Sequence, residues 1–293
     1  MIGYLVLLQK PETRELSAQQ GQDLQIQDIQ IGDGQPLVVL AGMCVIESED
    51  LLLETGRRLK QSCADAGLPL VLKASFDKAN RTSHDSFRGP GLERGLEVLA
   101  HVKAELDVPV TTDVHLPNQA EAVAEVADLL QVPAFLCRQT DLLVACAQTQ
   151  KPVNVKKGQF MAPWDMRHVV EKLRTAGCDQ VMLTERGVSF GYNRLVADIA
   201  GLSEMRNLGV PVCFDATHSV QRPAAGAGVS GGDASAAPAL ARAAVAAGVD
   251  AVFFECHPRP GEALSDAQTA LNLEDVGEML EQLSRIDALL WGR

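Results

Sequence analysis

Eight short apolar runs alternate strictly with helix-like segments, and this alternation limits the possible folds more than any other feature of the chain. The runs are PLVVLAGM (36–43), LPLVLKAS (68–75), VPVTTDVH (108–115), ADLLQVPA (127–134), PVNVKK (152–157), QVMLTER (180–186), VPVCFDATH (210–218) and DAVFFECHP (250–258). Between them lie amphipathic stretches such as SEDLLLETGRRLKQSCADAG, GLERGLEVLAHVKAEL and DASAAPALARAAVAAG, with Gly or Pro marking the returns. Strands apolar enough to be buried on both faces, each followed by a helix, predict an α/β fold with a parallel sheet. The count of eight predicts a closed (β/α)8 TIM barrel over residues 36–293. A doubly wound open sheet is the competing fold, but no GxGxxG follows the first strand. The nearest approach, GPGLERG, sits after a loop and reads as a turn and a helix start.

Residues 1–35 stand apart. IGYLVLL and DLQIQDIQI are two strand-like runs joined by a polar stretch, which predicts an N-terminal β-hairpin extension. The apolar run at the start is too short to span a membrane and lacks the basic flank of a signal peptide. Seven scattered cysteines with no CxxC pair fit a reducing cytoplasm. With 38 acidic against 26 basic residues the net charge is −12, which excludes a general nucleic-acid binder. An anionic ligand would need a local concentration of cations.

In a barrel, catalytic groups gather at the C-terminal ends of the strands. Strand one ends on Cys44, and strand two on Lys73 and Ser75, with Lys78, Asn80 and Arg81 in its loop. Strand three ends on Asp113 and His115. Strand four gives Gln131, with Arg138 beyond, and strand five gives Lys156 and Lys157. Strand six gives Glu185 and Arg186, strand seven Asp215 and His218, and strand eight Glu255 and His257. Lys73, Lys78, Arg81, Arg138, Lys156, Lys157 and Arg186 predict a positive pocket in a negative body, suited to phosphates. Within that set, some residues, Lys157 and Arg138 first, also read as solvated or as paired with Asp141 and Glu185. Cys44, His218, Glu255 and Asp266 offer the mixed donors of a borderline divalent ion. On spacing alone the signal is weak, since a lone cysteine at a strand end is more often a core thiol. The glycines of AAGAGVSGGDAS (224–235) suit either a segment over the site or a linker.

KASFDKANRTS (73–83), RGPGLERGL (88–96), TDVH (112–115), QVPAFLCRQTDLL (131–143), NVKKGQF (154–160), ERGVSFGYNRLVAD (185–198), FDATHSVQ (214–221) and FFECHPRPGEALSD (253–266) resemble the 3-deoxy-D-manno-octulosonate 8-phosphate synthase family. The match runs from about residue 37 to the C-terminus. KANR separates this family from its sister, 3-deoxy-D-arabino-heptulosonate 7-phosphate synthase, which takes erythrose 4-phosphate and typically carries KPRT. The resemblance implies an enzyme that joins phosphoenolpyruvate to D-arabinose 5-phosphate with release of phosphate, for lipopolysaccharide biosynthesis. It implies that Lys73, Ser75, Lys78, Gln131, Ala134, Lys156 and Arg186 hold phosphoenolpyruvate. Asn80, Arg81 and Thr82 would hold the pentose phosphate, with Gln221 along its chain and Asp113 also in contact with substrate.

The catalytic set expected is Lys73, Lys78 and Lys156, acting electrostatically, with His218 and Asp266 near the proton transfers. One class of the family carries Asn at the position of Cys44 and needs no metal. The other holds one divalent ion (Zn, Fe, Mn or similar) per chain, which here implies Cys44, His218, Glu255 and Asp266 as ligands. A homotetramer is the family expectation. GGDASAAP (231–238) departs from relatives in lacking a basic residue after its paired glycines. Three rivals predict different behaviour: the sister synthase, a silent sugar-phosphate-binding barrel, and a lysine-based aldolase forming a Schiff base.

Overall fold

The computed structural model describes residues 23–81, 83–223 and 231–291. Eight parallel strands form its centre: β1 (Val38–Val45), β2 (Leu70–Ser75), β3 (Val110–Asp113), β4 (Leu129–Val132), β5 (Val153–Lys156), β6 (Val181–Glu185), β7 (Val212–Asp215) and β8 (Ala251–His257). Each strand pairs with its neighbour in sequence. β8 pairs with β7 and, through Ala251↔Val38 to Glu255↔Gly42, with β1, so the sheet closes on itself. The expected (β/α)8 barrel is therefore present. All eight strands are buried along their whole length, as continuous apolar runs in a parallel sheet require.

The outer layer comprises α1 (Glu49–Ala66), α2 (Leu92–Leu106), α3 (Ala120–Val126), α4 (Thr140–Gln148), α5 (Arg167–Thr175), α6 (Ile199–Arg206), α7 (Ala237–Ala246) and α8 (Val276–Trp291). Local chemistry sets the ends of α1. Ser48 accepts the Leu51 amide at the N-cap, and Gly67 closes the C-terminus at φ +67°. Leucines and valines of these helices and of the outward strand positions form the main core. Among the described residues no helix is long and apolar enough to cross a membrane.

The N-terminal hairpin forms, but over a shorter span than the sequence suggested. DLQIQDIQI is not one strand. Leu24–Ile26 and Ile29–Ile31 pair antiparallel across a turn at Gln27–Asp28, with Gln27 at φ +52°. IGYLVLL lies outside the described residues. Leu24, Ile26 and Ile31 pack on Val38, Val71, Leu129, Met182, Cys213 and Ala251 from the lower ends of the strands. The hairpin thus plugs the bottom of the barrel and leaves the opposite rim for chemistry.

β1 has a register shift against β2 between Gly42 and Val45. At Gly42 a Cβ would stand 2.0 Å from the Lys73 carbonyl oxygen, so only glycine allows the two strands this close. The irregularity carries Cys44, which fits the use of bulges to re-aim a side chain.

Candidate active site

A cavity of about 570 Å³ opens at the C-terminal rim. Lys73, Lys78, Asn80, Arg81, Asp113 and Gln131 line one side. Ala134, Lys156, Arg186, His218, Gln221, Glu255 and Asp266 complete it. Most residues singled out from sequence are thus brought together. Ser75 lies behind the wall, with its hydroxyl 2.5 Å from Asp113 Oδ2. Thr82 and residues 224–230 lie outside the described residues. Of the seven cations expected in the pocket, two are elsewhere. Lys157 is buried against Glu185 at 3.3 Å, because it points away from the cavity and must find a counter-charge. Arg138 is exposed and lines a separate groove beside α4 and α5.

The remaining five cations differ in how they are paired. Lys73 Nζ lies 2.5 Å from Glu255 Oε1, with both groups buried, and also donates to the Cys44 carbonyl at 2.9 Å. Lys156 Nζ lies 2.5 Å from Asp215 Oδ2 and 3.5 Å from the centroid of Phe253. Lys78 is held more loosely, 3.5 Å from Asp113 and 3.8 Å from Glu255. Burial opposes its charge, yet Cys44, Glu255 and Asp113 together raise its pKa well above the usual lysine value. Burial likewise works against Asp113, Asp215 and Glu255, but their cationic neighbours win and hold all three below the ordinary carboxylate range.

Arg81 and Arg186 are different. Among the described residues neither has a carboxylate within ion-pair distance. Arg81 donates to Ser265 Oγ at 2.6 Å and Arg186 to Gln221 Oε1 at 2.8 Å, both neutral acceptors. Arg81 Nε and Arg186 Nη1 are buried with no hydrogen-bond partner. Two guanidinium groups with unspent donors in one cavity can receive two anions.

Opposite them, Cys44 Sγ lies 3.2 Å from Asp266 Oδ2, and the donor atoms of Cys44, Glu255 and Asp266 all lie within 4.8 Å of one another. His218 stands just outside that group, with Nε2 3.7 Å from Glu255 and 3.9 Å from Asp266. Asp215 caps the one-turn helix Ala216–Ser219 and lies 2.7 Å from His218 Nδ1, which turns Nε2 toward the carboxylates. Asp266 is held in place by its loop at φ +48°, a conformation costly for a residue other than glycine.

These groups fit a divalent cation. Glu255 Oε2 is buried and accepts no hydrogen bond among the described residues. Burial, Asp266 and Glu255 push the Cys44 thiol well up, so a thiolate here needs a nearby cation. The sulfur, nitrogen and carboxylate donors suit a borderline metal.

Asn154 joins Gln131 to Thr184 by hydrogen bonds of 3.1 and 2.7 Å, and Gln131 in turn holds Asp113 at 2.7 Å. The sequence reading gave Asn154 and Thr184 no role. An amide in mid-strand among valines was the available signal. Ser265 was missed as well, although it adjoins Asp266.

Residues 14–290 match the model of the DAHP synthetase I family. The chain belongs to that family. A protein of Desulfatibacillum aliphaticivorans named 2-dehydro-3-deoxyphosphooctonate aldolase is 56% identical over 259 residues, covering 88% of this chain and 95% of its own. Proteins of the same name from Nitratidesulfovibrio vulgaris (strain DP4) and Alkalilimnicola ehrlichii are 57% and 54% identical. They cover 86% and 90% of this chain and 92% and 95% of their own. That name denotes the synthase family which the eight motifs resemble.

Proposed function

We propose that the chain condenses phosphoenolpyruvate with D-arabinose 5-phosphate and water, giving 3-deoxy-D-manno-octulosonate 8-phosphate and inorganic phosphate, for lipopolysaccharide biosynthesis. The observation that carries this reading is the pair of guanidinium groups, Arg81 and Arg186, that line one cavity and each keep one buried donor atom without a partner. A reaction of two phosphorylated substrates needs two such anion sites. The names of the relatives supply the same chemistry.

In this reading Arg186, with Lys73, Lys78, Lys156, Gln131 and Ala134, holds phosphoenolpyruvate, and Ser75 acts by fixing Asp113. Asn80, Arg81 and Thr82 hold the pentose phosphate. Gln221, bonded to Arg186 at 2.8 Å, would lie along the pentose chain. C3 of phosphoenolpyruvate attacks the aldehyde carbon, and water adds at C2. The hemiketal phosphate then collapses by C–O cleavage, leaving the water-derived oxygen on C2. Lys73 and Lys156 are each locked to a carboxylate at 2.5 Å, which favours electrostatic work over Schiff-base chemistry. Asp266, whose carboxylate keeps a second oxygen when the first holds an ion, is at hand to take the proton that the adding water releases, with His218 Nε2 3.9 Å from its Oδ2.

Cys44, His218, Glu255 and Asp266 would hold one divalent ion. When bound, such an ion polarises a carbonyl and acidifies water. We place the reaction in the cytoplasm, which suits seven free, buried cysteines, and in a homotetramer. Exposed Phe135, Phe160, Trp164 and Phe190 support an assembly surface.

The test is phosphate release from phosphoenolpyruvate with either aldose phosphate, run with and without chelator. Release should depend on arabinose 5-phosphate and stop on chelation. Release with erythrose 4-phosphate alone would assign the sister activity. Binding without release would make this a sensor, and borohydride trapping of a lysine adduct would make it a Schiff-base aldolase.

A further inference from the structure

We infer that Ser265 is a positioning residue that couples the pentose-phosphate contact Arg81 to the sulfur of Cys44. The inference rests on the metal reading above.

Ser265 lies between β8 and α8 and is buried at 3% exposure. Its hydroxyl oxygen lies 2.6 Å from Arg81 Nη1 and 3.1 Å from Cys44 Sγ. A guanidinium has no acceptor, so the first bond has one direction: Arg81 donates and Ser265 accepts. That leaves the single hydroxyl proton for another partner. Among the described residues Ser265 Oγ forms no third hydrogen bond. While Cys44 is a thiol, its S–H can point to Ser265 or to Asp266 Oδ2 at 3.2 Å. Once Cys44 is a thiolate holding a cation, it can only accept. The bond must then run from the Ser265 hydroxyl to sulfur.

The result is a relay from the Arg81 guanidinium through one hydroxyl to one thiolate. A charged donor polarises the hydroxyl and strengthens its bond to sulfur. Arg81 also lines the cavity and carries a buried Nε with no partner. A phosphate drawn to Arg81 competes for the guanidinium and changes how strongly it polarises Ser265. Occupancy of the sugar-phosphate site therefore registers at the sulfur, one hydroxyl away. This gives the second substrate a direct influence on the donor strength of Cys44.

The experiment uses Co(II) as the probe metal, because a cysteine ligand gives a thiolate-to-cobalt charge-transfer band. The band should appear in the parent protein and vanish in Cys44→Ala. Saturating arabinose 5-phosphate, with saturation checked by calorimetry, should shift it in the parent and in Ser265→Thr, which keeps the hydroxyl. In Ser265→Ala the band should stay fixed, and Co(II) should bind about tenfold or more weakly. Thermal melting of each variant verifies folding, and rescue by Ser265→Thr separates the hydroxyl's role from a packing effect. A parent-like shift in Ser265→Ala, or no shift in the parent, overturns the inference and leaves the metal reading standing. Absence of any Cys44-dependent band overturns the metal reading and the inference together.

Discussion

Arg81 and Arg186 each donate to a neutral side-chain acceptor, yet they bond to different loops. Arg81 is fixed to Ser265 and Arg186 to Gln221. If each receives one substrate, their effects must separate. Removing a charge-assisted contact costs about 1.5–3 kcal/mol, or roughly ten- to a hundredfold in affinity. Arg186→Ala should raise KM for phosphoenolpyruvate by that factor and move KM for arabinose 5-phosphate little; Arg81→Ala should do the reverse. Steady-state kinetics with each substrate varied at saturating partner checks this, and equal effects on both substrates would sink the assignment. The residue types at the rim were legible because each strand ends on an ionisable group. Direction was not. Lys156 and Lys157 are adjacent in sequence, but alternation along a strand sends one to the cavity and the other to Glu185. Charge composition alone does not carry that phase.

At the scale of elements, the eight strands could be read from the sequence because each is uniformly apolar and bounded by turns. The hairpin was only half legible. The spacing of Ile26 and Ile29 breaks the period of two, but Gln27–Asp28 lacks the glycine that usually marks a two-residue turn. The same end of the barrel holds an acidic group under stress. Asp250, just before β8, accepts the Val212 amide at 2.8 Å, and Arg206 lies 3.4 Å from its other oxygen. Asp33, beyond the hairpin, shares that arginine. Burial outweighs Arg206 and lifts Asp250 from 3.8 to about 6. A folded-state value above the unfolded one favours the fold while the group stays protonated. Stability is therefore full below about pH 4, is lost as pH rises through about 6, and is level above that. Two units correspond to on the order of 3 kcal/mol. Asp250→Asn keeps an acceptor for Val212 and removes the ionisation. In urea titrations its stability relative to the parent should improve from pH 4.5 to pH 7.5. A constant difference across that range would refute the account.

Across the whole molecule, the four proposed ligands sit on both sides of the seam where the barrel closes. Cys44 is on β1, Glu255 on the adjoining β8, Asp266 in the loop that follows, and His218 after β7. An ion held by all four would staple first strand to last. No stretch of sequence displays that staple, since 222 positions separate Cys44 from Asp266. Without a cation, burial and two carboxylates keep Cys44 a protonated thiol. Metal uptake must expel the thiol proton and should tighten as pH rises. At a free ion concentration of a hundred times Kd, the stabilisation is about 2.7 kcal/mol, or roughly 4–5 °C in melting temperature for a chain of this size. Chelation should lower the melting temperature of the parent by that amount, and Zn²⁺ or Mn²⁺ should restore it. Cys44→Ala and Cys44→Asn should both melt at the same temperature with or without chelator. The two variants should differ in turnover. Asn stands at this position in the metal-free class of the family that the motifs resemble, and an amide can orient water or an aldehyde by hydrogen bonding. Cys44→Asn should therefore keep some chelator-resistant activity that Cys44→Ala lacks. A parent protein that melts and turns over identically after exhaustive chelation, with no metal by elemental analysis, would reduce Cys44 to a core thiol.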